Sequence, residues 1–154
     1  MTAARPEIPD TSALLDSLRH PDRWPGLLRS LQSGRVWLST VVLAELYAGT
    51  RSPEDARILD RIVTAMVSVD RLLTPTASDW ARSGRLMARR IRQEGNLRPR
   101  DHLADVLILV SAAQLEGVVI TANLRHFRAW ARLATASGLN VTVRSSARMG
   151  DERS

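Results

Sequence analysis

The sequence predicts an α/β domain in which a short central parallel sheet is flanked by helices. Short apolar runs such as Val118–Thr121 alternate along the chain with longer segments whose apolar residues recur at helical spacing. This alternation is typical of a parallel sheet with helices on its faces. With 154 residues and no internal repeat, the chain is expected to form one domain with its own core. We place that domain at residues 8–143, between a loose N-terminal tail over 1–7 and a loose C-terminal tail over 144–154.

The first half of the chain begins with a strand and continues mostly as helix. The expected elements are a strand at 6–9, helices at 13–18 and 24–31, a strand at 36–39, helices at 41–47 and from 53 to about 66, and a short strand within 67–73. Thr40 is expected to cap the helix that Gly49 ends, and Pro53 suits the first position of the following helix. Pro9 has no N–H group and is unfavourable within a central strand, which puts the placement of Asp10 in question.

The second half is organised around one long apolar segment. From Asp101 to Glu116 there is no Gly, Pro or Asn, so the segment is too long for an ordinary strand and is predicted to be a helix. Asp101 suits its N-cap, and Gly117 suits the left-handed residue just past its end. Thr76 is expected to cap the preceding helix. The remaining expected elements are that helix up to 94, a basic loop at 95–100, a strand at 118–121, a helix ending at 137 and a last strand at 141–143.

The chain is strongly basic, with a net charge of +6, and all 22 of its basic residues are arginines. Arginine binds phosphate bidentately, so this charge predicts an anionic partner such as nucleic acid. The absence of lysine excludes a phosphate-loop lysine, a Schiff base and a Ser–Lys pair, and the absence of cysteine excludes disulfides and thiolate metal sites. The first residues do not resemble a signal peptide, and no apolar run approaches a membrane span. We therefore expect a cytoplasmic protein without a membrane partner.

Three acidic residues stand in unusual places. Asp10 follows the first strand, whereas Glu45 and Asp105 lie inside apolar helical runs. Such carboxylates have ordinary explanations, since Glu45 could reach to the surface and Asp105 could be solvated near a helix start. Each also lies where an element approaches the carboxyl edge of the sheet, which is where ligand sites of open α/β sheets gather. Three carboxylates together suit a hard divalent cation such as Mg²⁺ or Mn²⁺, and such a site favours phosphodiester hydrolysis.

Four segments in order resemble the motifs of PIN-domain ribonucleases, and most closely those of the VapC-type toxins of toxin–antitoxin pairs. The four segments are Asp10-Thr-Ser-Ala-Leu-Leu15, Val42-Leu-Ala-Glu-Leu-Tyr-Ala-Gly49, Asp105-Val-Leu-Ile108 with Ala112-Ala113, and Ile120-Thr-Ala-Asn-Leu-Arg-His-Phe127. Each motif alone is weak, but together they cover nearly the whole chain. The resemblance implies a PIN-like fold, cleavage of RNA, a homodimer and inhibition by a cognate antitoxin.

The resemblance also implies roles for individual residues. Asp10, Glu45 and Asp105 would hold Mg²⁺ or Mn²⁺, and Asn123 would stand at a fourth catalytic position where many members carry Asp. Thr11 and Thr121 would hydrogen-bond to these ligands or to water. The basic loop before the acidic helix supplies the RNA-binding candidates, Arg98 and Arg100.

The alternative function is a non-catalytic PIN-fold module that binds RNA or a protein through its arginines. The uncharged Asn123 and the irregular first strand favour this alternative. His20, His102 and His126 show no metal-ligand spacing and are interpreted as surface or loop histidines. The four tryptophans are interpreted as core or interface residues.

Overall fold

The sheet of the protein is entirely parallel and consists of two parts joined at one point. The computed structural model describes residues 3–148. The strands are β1 (Glu7–Pro9), β2 (Leu38–Ser39), β3 (Leu72–Leu73), β4 (Val118–Thr121) and β5 (Thr142–Ser145). One part has the order β1-β4-β5 and the other pairs β2 with β3. A single parallel bridge between Glu7 and Val36 joins them, so the carboxyl ends of all five strands face the same edge.

Pro9 explains why the two parts of the sheet are joined so briefly. The N–H of Glu7 donates to the carbonyl of Arg35 and its carbonyl accepts from the N–H of Trp37, both at 2.8 Å. Alternate residues of a strand face the same neighbour, so the next donor toward β2 would be Pro9, which has no N–H. On the other side the ladder with β4 continues, because the N–H of Asp10 donates to the carbonyl of Ile120 at 2.9 Å. Pro9 therefore interrupts the ladder toward β2 and leaves Asp10 in register with β4.

Seven α-helices of the described chain pack around this sheet. They are α1 (Thr11–Arg19), α2 (Trp24–Gln32), α3 (Thr40–Ala48), α4 (Pro53–Ser68), α5 (Ala77–Glu94), α6 (Leu103–Ala112) and α7 (Leu124–Ala136). The helix α6 is buried on every side from Val106 to Ala112 and packs against α3, α5, α7 and β4. A helix that is apolar all round belongs inside the core. The α/β class expected from the sequence is confirmed, with α6 at its centre.

Several predicted helix ends are correct, and others are wrong. Thr76 caps α5 and Pro53 begins α4, both as predicted, and the structure adds that Asp79 completes a capping box with Thr76. Thr40 is the first residue of α3, and the cap is Ser39, whose Oγ accepts from the N–H of Val41 at 3.2 Å. Asp101 does not cap α6, since it belongs to the short 3-10 turn Pro99–Asp101.

The end of the central helix also differs from its prediction. The helix α6 stops at Ala112, one 3-10 turn follows, and the left-handed residue is Glu116 with φ 51°. The reason for glycine at 117 is close packing. A Cβ at Gly117 would lie 2.4 Å from Cδ1 of Ile8 and 3.1 Å from the carbonyl oxygen of Ala112.

Both predicted tails are shorter than expected. Glu7 already belongs to β1, and the guanidinium of Arg5 donates to the carbonyl of Glu116 and to Oδ1 of Asn140. At the other end, Arg144 and Ser145 belong to β5, and a 3-10 turn continues to residue 148. The rest of the predicted C-terminal tail lies outside the described residues. Within residues 3–148, none of the helices combines the length and apolar character needed to cross a bilayer.

Candidate active site

Asp10 is a buried carboxylate at the carboxyl end of β1, and only 4% of the residue is exposed. It caps α1, with Oδ1 accepting from the N–H of Ala13 at 2.8 Å and from Oγ of Ser12 at 2.7 Å. Its Oδ2 accepts from Oγ1 of Thr121 at 2.6 Å. Three donors offset the cost of burying this charge and fix the orientation of the carboxylate.

A network of hydroxyl groups connects Asp10 to the segment after β4. Thr121, which is fully buried, accepts from the N–H of Asn123 at 2.9 Å while it donates to Asp10. Ser12 accepts from the N–H of Ala122 at 3.1 Å while it donates to the other oxygen of Asp10. The start of α1 and the turn before α7 are therefore held together around one carboxylate. Asn123 begins α7 with an exposed side chain that caps no N–H of the helix.

Glu45 lies on α3 and reaches the same edge of the sheet from a different side. It is exposed, and its Oε2 accepts a hydrogen bond from Oγ1 of Thr11, the residue that follows Asp10. The side chain is thus neither buried in the core nor free at the surface. This contact places the Glu45 carboxylate beside the first turn of α1.

Asp105 lies in the first turn of α6, with 32% of its side chain exposed. Its Oδ2 lies 2.9 Å from Nε2 of His126 on α7. Burial raises the pKa of the Asp105 carboxyl, the contact with His126 opposes that shift, and the charge of Asp10 adds to it. Asp10 and Asp105 are therefore near enough to repel one another, although their elements are far apart in sequence.

Two of the histidines lie half-buried beside Asp105: His102 is in the turn before α6, as the loop interpretation expects, whereas His126 belongs to α7 and is neither a loop nor a fully exposed residue. The ring of His102 stacks on that of His126, with centroids 5.3 Å apart and an angle of 24° between the planes. His102 also contacts Trp130 at 5.6 Å, and the guanidinium of Arg90 lies over Trp130 at 4.4 Å from its centroid. His20 remains an exposed residue at the end of α1, as predicted.

Sequence reasoning missed Ser12 and His126. Ser12 lies within the first acidic motif, but a hydroxyl there also suits an ordinary helix start. His126 comes one helical turn after Asn123, so it points toward the same end of the sheet. That spacing was the available signal, but its partner Asp105 is 21 residues away and becomes visible only when α6 and α7 pack together.

The donor set at this edge suits a hard divalent cation. All three acids offer carboxylate oxygens, which Mg²⁺ and Mn²⁺ prefer, and Oδ1 of Asp105 accepts no hydrogen bond from the described residues. Within residues 3–148, no three carboxylate or imidazole groups are yet drawn together into a ready-made metal cluster. The residues therefore fit such a cation by their chemistry, and they would have to converge on it.

Comparisons with known proteins agree with this architecture. The family model of the PIN domain matches residues 8–133. The chain is similar to VapBC from Salmonella typhimurium bound to DNA, with 20% identity over 93% of this chain and 99% of the other and a TM-score of 0.65. It is also similar to FitAB bound to a DNA fragment, with 17% identity, coverage of 96% and 99%, and a TM-score of 0.63. A third similar structure is VapBC-5 from Mycobacterium tuberculosis, a member of the VapBC family of toxin–antitoxin systems, with 20% identity, coverage of 92% and 99%, and a TM-score of 0.54. A comparison with curated protein sequences finds no match.

Proposed function

We propose that this chain, which belongs to the PIN-domain family, is a metal-dependent endoribonuclease that acts as the toxin of a toxin–antitoxin pair. The observation that supports this most directly is the arrangement of its three acids. Asp10 and Asp105 interact electrostatically, and Glu45 is hydrogen-bonded to the residue after Asp10. Acids that repel one another at the carboxyl edge of a parallel sheet are typical of a cation site.

Asp10, Glu45 and Asp105 would hold Mg²⁺ or Mn²⁺. When bound, such an ion supplies an activated water and stabilises the negative charge that develops on a phosphodiester. The chain's own residues keep the ligands in place. Thr121 fixes one oxygen of Asp10, and Thr11 fixes one oxygen of Glu45. Asn123, exposed at the start of α7, would face the substrate as a neutral hydrogen-bonding group.

RNA is proposed to approach over the loop between α5 and α6. Arg98 and Arg100 are exposed on this loop, and neither is paired with an acid of the described chain. The loop leads directly into the helix that carries Asp105. Its two guanidinium groups would therefore bind phosphates of the strand whose backbone reaches the acids.

The proposed partners are a cognate antitoxin and a second copy of the chain, and the proposed location is the cytoplasm. The antitoxin is suggested by the similar VapBC and FitAB structures. The dimer is suggested by large apolar side chains left exposed on helices α2, α4 and α5 and beside α4. These are Leu28, Val67, Val69 and Trp80. The tryptophans are predicted to lie in the core or at an interface, and two of them differ in burial. Trp130 is fully buried in the core, whereas Trp80 is 52% exposed.

The experiment that tests the proposed function is cleavage of bulk RNA by the purified chain. We expect cleavage with Mg²⁺ or Mn²⁺, no cleavage in excess chelator, and no cleavage by the Asp105→Asn variant with either metal. Full cleavage in chelator would contradict the metal-dependent mechanism. Cleavage that survives in Asp105→Asn would show that the reaction does not require Asp105 and would contradict its assignment as a metal ligand.

A non-catalytic RNA- or protein-binding module is the second candidate. It is favoured by the neutral Asn123 and by the absence of a ready-made cluster of three acids within residues 3–148. RNA binding without cleavage, in Mg²⁺ and in Mn²⁺, would support this candidate over the first.

A further inference from the structure

We propose that His126 is a positioning residue, which holds the Asp105 carboxylate in the orientation needed for divalent-cation binding and is itself held in place by His102. This inference rests on the proposed function and adds two residues to it. Its starting point is the contact of 2.9 Å between Nε2 of His126 and Oδ2 of Asp105. The two side chains come from different helices, so neither rotamer follows from local structure alone.

The contact gives the two carboxylate oxygens of Asp105 different surroundings. Oδ2 is occupied by His126, whereas Oδ1 accepts no hydrogen bond from the described residues. A carboxylate that is hydrogen-bonded through one oxygen keeps the other oxygen for a cation, and such supporting bonds are common behind metal ligands. Without His126, the Asp105 carboxylate could rotate about its Cβ–Cγ bond. Binding of the ion would then have to restrict this rotation, and the conformational entropy lost would reduce the affinity.

The His126 ring is restrained by neighbouring rings. His102 stacks on it at 5.3 Å, and Phe127 meets its edge at 5.9 Å with an angle of 88° between the planes. Stacked and edge-on arrangements at these distances are favourable for ring pairs and restrict the rotation of each ring. These contacts keep Nε2 directed at Asp105.

His102 is itself held in place by packing against the core. It contacts Trp130, which is fully buried, and Trp130 is covered by the guanidinium of Arg90. Three polar atoms of this stack are buried and have no hydrogen-bond partner among residues 3–148: Nδ1 of His102, Nε1 of Trp130 and Nη1 of Arg90. Unpaired buried polar atoms are unfavourable, so three of them in one stack call for an explanation, and a ring geometry kept for the support of Asp105 supplies one.

The test measures Mn²⁺ affinity by calorimetry in the absence of RNA, so that it does not depend on catalysis. His126→Phe keeps a ring against His102 and removes Nε2, and we expect it to weaken Mn²⁺ binding roughly 10- to 100-fold. His126→Gln carries an amide nitrogen near the position of Nε2 and should recover part of that loss. His20→Phe makes the same substitution at an exposed histidine and should leave the affinity unchanged.

A melt in chelator establishes that each variant is folded. If His126→Phe does not fold, His126→Asn replaces it, because its shorter amide does not reach Asp105, and the same loss is expected. Equal Mn²⁺ affinities for wild type and the variant without Nε2 would overturn the positioning role and leave the proposed function intact. A wild-type protein that binds no Mn²⁺ would overturn the proposed function and this inference together.

Discussion

Oγ1 of Thr121 donates a hydrogen bond of 2.6 Å to Oδ2 of Asp10, across 111 residues of sequence. The bond connects the carboxyl ends of the neighbouring strands β4 and β1. Thr121 also accepts from the N–H of Asn123, so one hydroxyl is shared between a carboxylate and the backbone of the turn before α7. The same atom therefore contributes to the stability of the fold and to the placement of an acid.

Replacing Thr121 with Val should show how much the hydroxyl group contributes to stability. The substitution keeps the β-branched shape and leaves the buried Asp10 oxygen and the Asn123 N–H each one partner short. We expect a loss of about 1–3 kcal/mol in the free energy of unfolding, measured by urea denaturation in chelator. Thr121→Ser keeps the hydroxyl and should lose less. Equal losses for the two variants would show that the methyl group matters more than the hydrogen bond.

Gly117→Ala should destabilise the protein by about 1–3 kcal/mol, because the new methyl group would overlap the fully buried Ile8. Gly84→Ala is the matched control. A Cβ at Gly84, in the exposed middle of α5, meets nothing within 4 Å, and the substitution should stabilise the protein by about 0.5–1 kcal/mol. Thermal or urea unfolding measures both changes. A neutral Gly117→Ala would mean that the Ile8 side chain can move aside without cost.

Asp105→Asn should remove metal binding without destabilising the metal-free protein. Burial and the charge of Asp10 raise the pKa of this carboxyl in the folded state, so the unfolded chain releases its proton first as pH rises. The ionised form therefore reduces stability above the unfolded pKa, and a neutral amide at pH 7 avoids that cost. In chelator, the variant should melt no lower than wild type.

Added metal should reverse this order. At a hundredfold excess of Mg²⁺ over its Kd, wild type should gain about 2.7 kcal/mol, while the variant should gain much less. Thermal melts across a Mg²⁺ titration measure this difference. Strong destabilisation in chelator, together with equal shifts by Mg²⁺, would make Asp105 a structural residue.

Arg98→Gln combined with Arg100→Gln should weaken RNA binding and reduce its salt dependence. Each lost phosphate contact lowers the slope of log K against log salt by roughly 0.7 for a single strand. Binding is measured in chelator, so that the RNA stays intact. Arg29→Gln with Arg61→Gln removes two exposed charges from α2 and α4 and should leave the slope nearly unchanged. Equal slopes for all three proteins would exclude the loop from the RNA-binding surface.

The chain should be a dimer at micromolar concentration, with twice its mass of 17.1 kDa by light scattering. Exposed apolar side chains on helices favour association, because they are removed from water in the dimer. Trp80→Glu tests the face on α5, and Val69→Glu tests the face beside α4. A wild-type monomer would contradict the prediction.

Much of the fold follows from local signals that the sequence displays. The helix α6 is indicated by the apolar run after Asp105, and the start of α5 is indicated by the cap residue Thr76. Both signals depend only on neighbouring residues, so the start of α5 and the location of α6 agree with the prediction. The ends of α6 depend on tertiary contacts. Gly117 packs against Ile8, and β4 pairs with β1 from Val118 onward. The helix therefore ends earlier than its apolar sequence alone predicts.

The candidate site shows the same division between local and tertiary information. Glu45 and Asp105 are each visible as a charged residue inside an apolar run, and Asp10 is visible as an acid directly after a predicted strand. The partners of these acids are not visible in this way. Thr11 meets Glu45, and His126 meets Asp105, only because separate helices converge at one edge of the sheet.

His102 connects the basic loop with the Asp105 carboxylate, and this has a consequence for the kinetics of the proposed reaction. This residue ends the segment that carries Arg98 and Arg100, and its ring supports the histidine that contacts Asp105. We therefore expect a displacement of the loop to reach Asp105 through the two stacked rings. The affinity for RNA and the rate of the chemical step would then both depend on the position of His102. A substitution in the loop should therefore change KM and kcat together.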